Sequence, residues 1–377
     1  MALVLRGNRT RRIVFLLTFS GEKRIVYHHG AFRMTIYPHK KIRFNPRGVT
    51  AALVFALCAV SVCFAQGEKT VPPQDTSIRI KLLWRPQAQF AGFYMAQADG
   101  LYEKAGVKVI LNHAQQGEDV LDSLKEGKTN ISVAWPVSAM QRAARGEDVV
   151  NIGQLTQSSA LMLIARKESG IVKPEDIAGH RVGLWIAPSL KRPFEAFFRH
   201  YKITDYTEAP VLARVDMFLY KGVDVISCME YNEFFQIYCA GIDEEDLVCF
   251  YLNDTFSGWV DDGLYCKSSF YKLNPAACRA ITAATLEGWR RAFGNPRRAL
   301  EIIKSRCSEN DEPFDFAHQR QMLVHMKNIV FPQGANNSGV MSEDSFKQIQ
   351  DTLKPEANEL KYNQFVPGNN TEADNVK

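Results

Sequence analysis

The sequence lacks most of the short motifs that announce a chemistry. No GxSxG, HExxH or GxGxxG occurs, so a nucleophile-elbow hydrolase, a zincin and a dinucleotide-binding turn have no support. No two cysteines are spaced CxxC and none sits near a histidine at zinc spacing, which leaves no thiolate zinc site or thioredoxin-type pair. Gly127-Lys128-Thr129 copies the end of a phosphate-binding loop, but Asp122 stands where that loop needs its first glycine. His318 and His325, seven apart, read as packing or a solvated helix face rather than metal ligands. Asp261-Asp262 in "GWVDDG" reads as a turn rather than an acid/base pair. Neither low-complexity segments nor solenoid-period repeats appear.

Charge is also less than it first looks. The formal net charge is +5, yet eleven of the 46 Lys and Arg residues, against Glu22 alone among the acids, lie within residues 1–65. Residues 66–377 therefore hold 35 basic and 40 acidic side chains, a net of −5. That body gives no electrostatic reason to expect a nucleic-acid partner.

The basic N-terminus instead reads as a targeting segment. "PHKKIRFNPRG" precedes a run without charge from Val49 to Ala65, with Cys63 and Ala65 as the small residues before a cleavage site ahead of Gln66. A signal peptide over about 34–65 is expected, with Met34 as its natural start and export to a periplasmic or other extracytoplasmic space. The apolar run sits at the short edge for spanning a bilayer, which keeps a membrane anchor as the alternative. In such a compartment Cys228, Cys239, Cys249, Cys266, Cys278 and Cys307 are either buried small hydrophobes or disulfide partners of unreadable pairing.

Beyond the polar stretch "QGEKTVPPQDTS", strands and helices alternate. "IRIKLLW", "VKVILNHA", "NISVAW" and "VVNIGQLT" read as strands. The helices "FAGFYMAQADGLYEKAG", "EDVLDSLKEG" and "PVSAMQRAARG" lie between them, the last opening on Pro136. The pattern restarts with the strand "ALMLIARKESG", then "KPEDIAG" as a short helix, "HRVGLW", "VDVISCM", and a helix "SLKRPFEAFFRHYKI" interrupted at Pro193. "LVCFYLND" and "DGLYCKSSF" read as strands returning to the first lobe, before a helical C-terminus. This is an α/β chain of two lobes, with parallel-rich sheets flanked by helices. The expected organisation is an extension and signal over 1–65, a linker at 66–77, lobe 1 at 78–160 and lobe 2 at 161–256. A return to lobe 1 with the C-terminal helices spans 257–365, and a polar tail 366–377.

Three of the five tryptophans close predicted strands: Trp84 before "RPQAQF", Trp135 before Pro136, Trp185 before "IAPSL". In doubly wound lobes, strand ends face one cleft. Each indole either caps the core beneath its loop or offers a stacking face to a flat solute. Gln87 and Gln89 follow the first strand, and Phe90 and Tyr94 share one helix face on which one is core. Ser138, Ser158, Glu230, Tyr231 and Asn232 stand at further strand ends. Together these twelve residues are the candidate ligand-binding set. No catalytic residue and no metal ligand is assigned.

Three stretches, "WRPQAQFAGFYMAQADGLYEKAGVKV", "GKTNISVAWPVSAMQRAARGEDVVNIGQL" and "IVKPEDIAGHRVGLW", resemble successive motifs of the substrate-binding proteins for thiamine pyrimidine precursors, alkanesulfonates and taurine, over roughly Ile78 to Lys304. The resemblance implies a type II periplasmic binding protein fold whose lobes close on a small solute. It also implies an ABC transporter permease as membrane partner, and no cofactor. In the pyrimidine-binding members, aromatic residues after the first and third strands sandwich the ring; Trp84, Phe90 and Trp135 take those places here. The same superfamily holds the thiamine-pyrimidine synthase, which works on pyridoxal phosphate with one of its own histidines and iron. That enzyme's cofactor lysine falls on Ala134, its sacrificed histidine on Ser138, and its cysteine-rich segment near "GWVDDGLYC", where Cys266 alone remains. A synthase-like protein of thiamine biosynthesis, with pyridoxal phosphate and iron, is the enzyme alternative, disfavoured on those positions. An exported sensor is a third reading.

Overall fold

The computed structural model describes residues 77–212, 214–332 and 339–367, together with β1 (Leu17–Phe19) and β2 (Lys23–Ile25), which pair antiparallel. The expected signal at 34–65 with Cys58 and Cys63, the linker up to 76, and the tail from 368 lie outside the described residues. The chain divides into units Met1–Gln74 and Asp75–Lys377, and both lobes belong to the second unit.

The first strand of that unit, β3 (Ile78–Leu82), buries Ile78, Ile80 and Leu82 while Arg79 faces out, the period-two pattern of a strand covered on one face. It lies parallel to β4 (Val109–His113) and β5 (Ile131–Ala134), each reached through a helical crossover. With β6 (Val150–Gln154) they contribute to a five-stranded sheet. The second sheet is built from β7 (Leu161–Arg166), β8 (Arg181–Trp185), β9 (Thr207–Val211), β10 (Val225–Met229) and β11 (Leu247–Tyr251), in the order β11-β7-β10-β8-β9. Finally β12 (Gly263–Cys266) enters the first sheet antiparallel between β5 and β6, giving the order β4-β3-β5-β12-β6. Both sheets are thus mixed: βαβ crossovers give the parallel pairs, and strands arriving by other connections give the antiparallel ones.

The structure departs from the sequence expectations in places. "LVCFY" does not return to the first lobe; it pairs along β7 from Leu247 to Tyr251, covering an edge that would otherwise be exposed. Only the β12 segment returns, and "KSSF" after it is helical from Ser268. The strand β9 carries no recognisable sequence signal, because Pro210 interrupts an already polar run. Pro193 does not interrupt its helix, which runs unbroken from Pro188 to His200.

Five helices matter for the site: α1 (Ala91–Ala98), α2 (Pro136–Ala144), α3 (Pro188–His200), α4 (Pro275–Gly294) and α5 (Phe316–Val330). Helices α1 and α4 approach at backbone distance. A Cβ on Gly288 would overlap the Gly92 carbonyl, and one on Gly92 would overlap the Trp289 indole. This contact fixes α1, and with it the turn that carries Gln87 and Gln89, against the C-terminal helices. On the other side of that turn, the α5 residue Gln319 accepts from the Ala88 amide at 2.6 Å. Two crossings join the lobes, 155–160 and 252–262, and are stitched together. The Leu155 and Thr156 amides donate to the Asp262 carbonyl at 3.0 and 3.2 Å, and the Asp261 amide donates to Thr156 Oγ1 at 2.8 Å.

Candidate functional site

The carboxyl ends of β3, β5, β8 and β10 converge between the lobes, as strand ends of open α/β sheets do. Leu83, Trp84, Gln87, Gln89 and Trp135 line the cleft from lobe 1, and Trp185, Leu190, Met229, Tyr231, Asn232 and Glu233 from lobe 2. The Trp185 ring lies 6.5 Å from Trp84 and 6.0 Å from Trp135, across the lobe boundary, and 5.6 Å from Phe194 behind it. The space enclosed is about 20 Å³, room for about one water molecule. The side chains of the two lobes therefore meet closely across the cleft.

The polar groups of the cleft are few and aimed. The indole Nε1 atoms of Trp84 and Trp185 are buried with no hydrogen-bond acceptor. A buried N–H without an acceptor costs free energy that a ligand oxygen or ring nitrogen would recover. Gln87 donates from Nε2 to Gln89 Oε1 at 2.7 Å, and Gln89 in turn donates to Asp262 Oδ2 at 2.9 Å. The other carboxylate oxygen of Asp262 accepts from Trp135 Nε1 at 3.1 Å. One buried carboxylate thus orients two walls of the cleft while the carbonyl of the same residue holds the crossing strands together. Burial outweighs these donors and pushes the Asp262 carboxyl up to about 6.

Glu233, at the N-terminus of the Glu233–Cys239 helix, is 1% exposed. Its carboxyl accepts from the Met229 amide at 2.9 Å and from Asn232 Nδ2 at 2.7 Å. Burial pushes it up to about 7 in spite of these donors and the field of Arg85. An acid poised there can accept a hydrogen bond when ionised or donate one when neutral.

Of the residues expected from sequence, the structure brings Trp84, Gln87, Gln89, Trp135, Trp185, Tyr231 and Asn232 together in the cleft. It places the others elsewhere. Phe90 and Tyr94 are both core, 0% and 1% exposed. The Tyr94 hydroxyl meets His113 Nε2 at 3.1 Å, and His113 Nδ1 meets the Trp84 carbonyl at 2.7 Å, so the pair supports the wall from behind. Burial holds that imidazole down at about 4, in its neutral form. Ser138 is buried, and its hydroxyl donates to the Ser189 carbonyl of the other lobe. Ser158 is half-buried outside the cleft lining. Glu230 is half-buried too, 3.8 Å from His325 Nδ1. Sequence reasoning missed Asp262, whose partners are 173 and 127 residues away, and Glu233, which reads as an ordinary acid of a helix first turn. Among the described residues no group of three or more His, Cys, Asp or Glu side chains is placed to hold a metal ion, and no helix is long and apolar enough to cross a membrane.

A family model described as NMT1/THI5 like matches residues 87–299. Among curated proteins, the 4-amino-5-hydroxymethyl-2-methylpyrimidine phosphate synthase of Schizosaccharomyces pombe is 28% identical over 100 residues, which is 26% of this chain and 29% of that protein. The synthase of Legionella pneumophila is 28% identical over 106 residues, 28% of this chain and 34% of that protein. The chain therefore spans about a third of the length of these relatives. The fold is similar to that of the periplasmic aliphatic sulphonate binding protein SsuA from Escherichia coli, with a TM-score of 0.57 at 14% identity over 78% of this chain and 89% of that one. It is also similar to the alkanesulfonate-binding protein SsuA from Xanthomonas axonopodis pv. citri bound to MOPS, with a TM-score of 0.56 at 12% identity over 74% and 91%.

Proposed function

The chain belongs to the NMT1/THI5-like family, and from that premise we propose that it is an extracytoplasmic solute-binding protein that closes its lobes on a small flat nitrogen heterocycle for an ABC importer. The observation that carries the reading is the cleft. Three indoles contributed by both lobes surround it, two of their N–H groups lack an acceptor, and the Glu233 carboxyl faces the same space. A thiamine pyrimidine precursor has the matching features: a planar ring to stack, ring nitrogens to accept from indole N–H, and an exocyclic amine to meet Glu233. Apolar walls with a few convergent polar groups are the usual build of a small-molecule site. Binding would then be closure: Trp185 travels with lobe 2 toward Trp84 and Trp135, and the solute selects a closed state in which it lies between them and keeps the indoles farther apart than they stand without it. The fold it shares with periplasmic binding proteins and the targeting signal read in the sequence support an exported protein that hands its solute to a membrane permease.

The synthase reading is favoured by the curated relatives but not by the residues. Pyridoxal phosphate chemistry needs a lysine to hold the aldehyde, and none lines the cleft; Ala134 and Ser138 stand where the resemblance puts that enzyme's lysine and histidine. The residues present do not fit the cofactor. Thermal unfolding against a panel of pyrimidine thiamine precursors, sulfonates and pyridoxal phosphate separates the readings. At 100 times its dissociation constant a solute adds about 2.7 kcal/mol, a rise of several degrees for a domain of this size. A rise with an aminopyrimidine that is lost in Trp84→Ala supports the proposal. A rise with pyridoxal phosphate alone would move the assignment to the enzyme.

A further inference from the structure

Ser189 is the second residue of α3, and the sequence leaves both ends of its backbone without a partner inside the helix. Its N–H belongs to the first turn, where no intrahelical acceptor exists. Its carbonyl should accept from the residue four positions on, but that residue is Pro193, which has no N–H. A proline at this place therefore creates a free carbonyl directly beside a free amide, on the face of lobe 2 that meets lobe 1.

Lobe 1 meets both. The Ser138 hydroxyl, from the first turn of α2, donates to the Ser189 carbonyl, and Asp119 Oδ2 accepts from the Ser189 amide at 3.3 Å. Neither partner is a loose surface side chain: Ser138 is 2% and Asp119 6% exposed. Asp119 is held in place twice more, as the cap of the Val120–Lys125 helix through the Leu121 amide at 2.9 Å and by Arg142 at 2.9 Å. Arg142 is itself fixed by Asp122 at 2.7 Å and Glu147 at 3.2 Å. The lobe 1 side of the contact is thus preorganised, and α2, which carries Ser138, begins immediately after the cleft residue Trp135.

We propose that Ser138 and Asp119 form a latch that captures the Ser189 backbone, with Pro193 keeping its carbonyl free, so that the lobes close before any solute arrives. The proposal rests on the reading of the cleft as one that works by lobe closure. Ser138 and Asp119 are positioning residues in it: neither lines the cleft, and they set how much of the chain is in the closed form. On opening, both Ser189 groups return to water, so each hydrogen bond contributes a modest net preference, roughly three- to tenfold in the closed-to-open ratio. The serine at the position where the family resemblance puts a synthase's reacting histidine is thereby already engaged, on a backbone carbonyl of the opposite lobe.

Circular dichroism of the full chain without solute tests this. Trp185, on lobe 2, lies 6.5 Å from Trp84 and 6.0 Å from Trp135, both on lobe 1; opening the lobes would part it from both, so its exciton coupling to those two indoles reports closure. The expected result is a coupling signal in the unmodified chain that weakens in Ser138→Ala and in Pro193→Ala, with helical content retained. In Pro193→Ala the new amide serves the Ser189 carbonyl from within the helix, so adding Ser138→Ala has a smaller effect than in the unmodified chain. Pro193→Ala raises helix propensity, so it remains a folded test if Ser138→Ala proves unstable. A coupling signal absent from the unmodified chain, or unchanged in both variants, overturns the latch. A latch that fails while an aminopyrimidine still raises the unfolding temperature leaves the binding reading intact; a latch that holds while no solute binds removes the binding reading instead.

Discussion

Asp262 shows how much one side chain carries in this cleft. Its two carboxylate oxygens accept from Gln89 and Trp135, so Asp262→Asn sets an amide N–H₂ against one of those donors. Leaving a buried donor unsatisfied costs about 1–3 kcal/mol, and the unfolding temperature should fall accordingly. Solute affinity should fall too, because Trp135 and Gln89 lose their orientation. Calorimetry of the variant with and without solute checks both. Glu233→Gln is the complementary case. It keeps the shape of a residue that faces the cleft, and it should weaken an amine-bearing solute about tenfold or more, the worth of a charge-assisted bond, with a stability cost like that of Asp262→Asn, because its N–H₂ then faces the Met229 amide or Asn232 Nδ2. At this scale the sequence is half legible. Trp84, Trp135 and Trp185 can be placed because each follows an apolar strand directly. Phe90 and Tyr94 are indistinguishable from cleft residues, since an aromatic pair spaced four apart looks the same whether its helix face meets a ligand or His113. Asp262 and Glu233 are not legible as site residues, because a buried acid is recognised by its burial and its partners: those of Asp262 are distant in sequence, and those of Glu233, a backbone amide and the neighbouring Asn232, look like an ordinary helix start.

Among the elements, the contact between α1 and α4 sets the wall that Gln87 and Gln89 stand on. Gly288→Ala pushes a methyl group into the Gly92 carbonyl, and overpacking of this kind costs about 1–3 kcal/mol. A lower urea midpoint, with that free energy recovered from the midpoint shift times an unchanged slope, is the expected result. The strands and helices of lobe 1 are readable because period-two apolar runs alternate with helices closed by glycine; Gly106 and Gly127 do adopt positive φ after theirs. The hinge is less readable. The pairing partner of "LVCFY" depends on which strand has an open edge, and that is a property of the assembled sheet. Pro193 reads as a break because its missing N–H counts against a helix. Within the first two turns of α3, the carbonyl it frees finds a donor on the other lobe instead.

Across the whole molecule, three buried acids line the cleft and crossings. Glu233 and Asp261 are pushed up to about 7 and Asp262 to about 6, in each case chiefly by burial. The Asp261 carboxyl accepts from the Ala160 amide at 2.7 Å on one oxygen, while the other is buried without a partner. A carboxyl raised in the folded state holds its proton where the unfolded chain has lost it. The contribution of these three acids is therefore fullest below the ordinary carboxylate range and declines as pH rises from about 4 through 7, while the lowered imidazole of His113 works against it over the same range. Unfolding temperatures recorded across that range should fall with rising pH, and Asp261→Asn should flatten the slope. The two-lobed architecture is legible from the alternation of elements and its restart after Gln157. The space the lobes enclose is not, because the cleft exists only once strands from both sheets are brought together. That this cleft holds a flat heterocycle is tested most directly by isothermal titration of the full chain with an aminopyrimidine thiamine precursor, alongside Trp84→Ala and Glu233→Gln. Saturable one-to-one binding that weakens in both variants is the predicted result. No heat from any heterocycle, or binding indifferent to both substitutions, would contradict it.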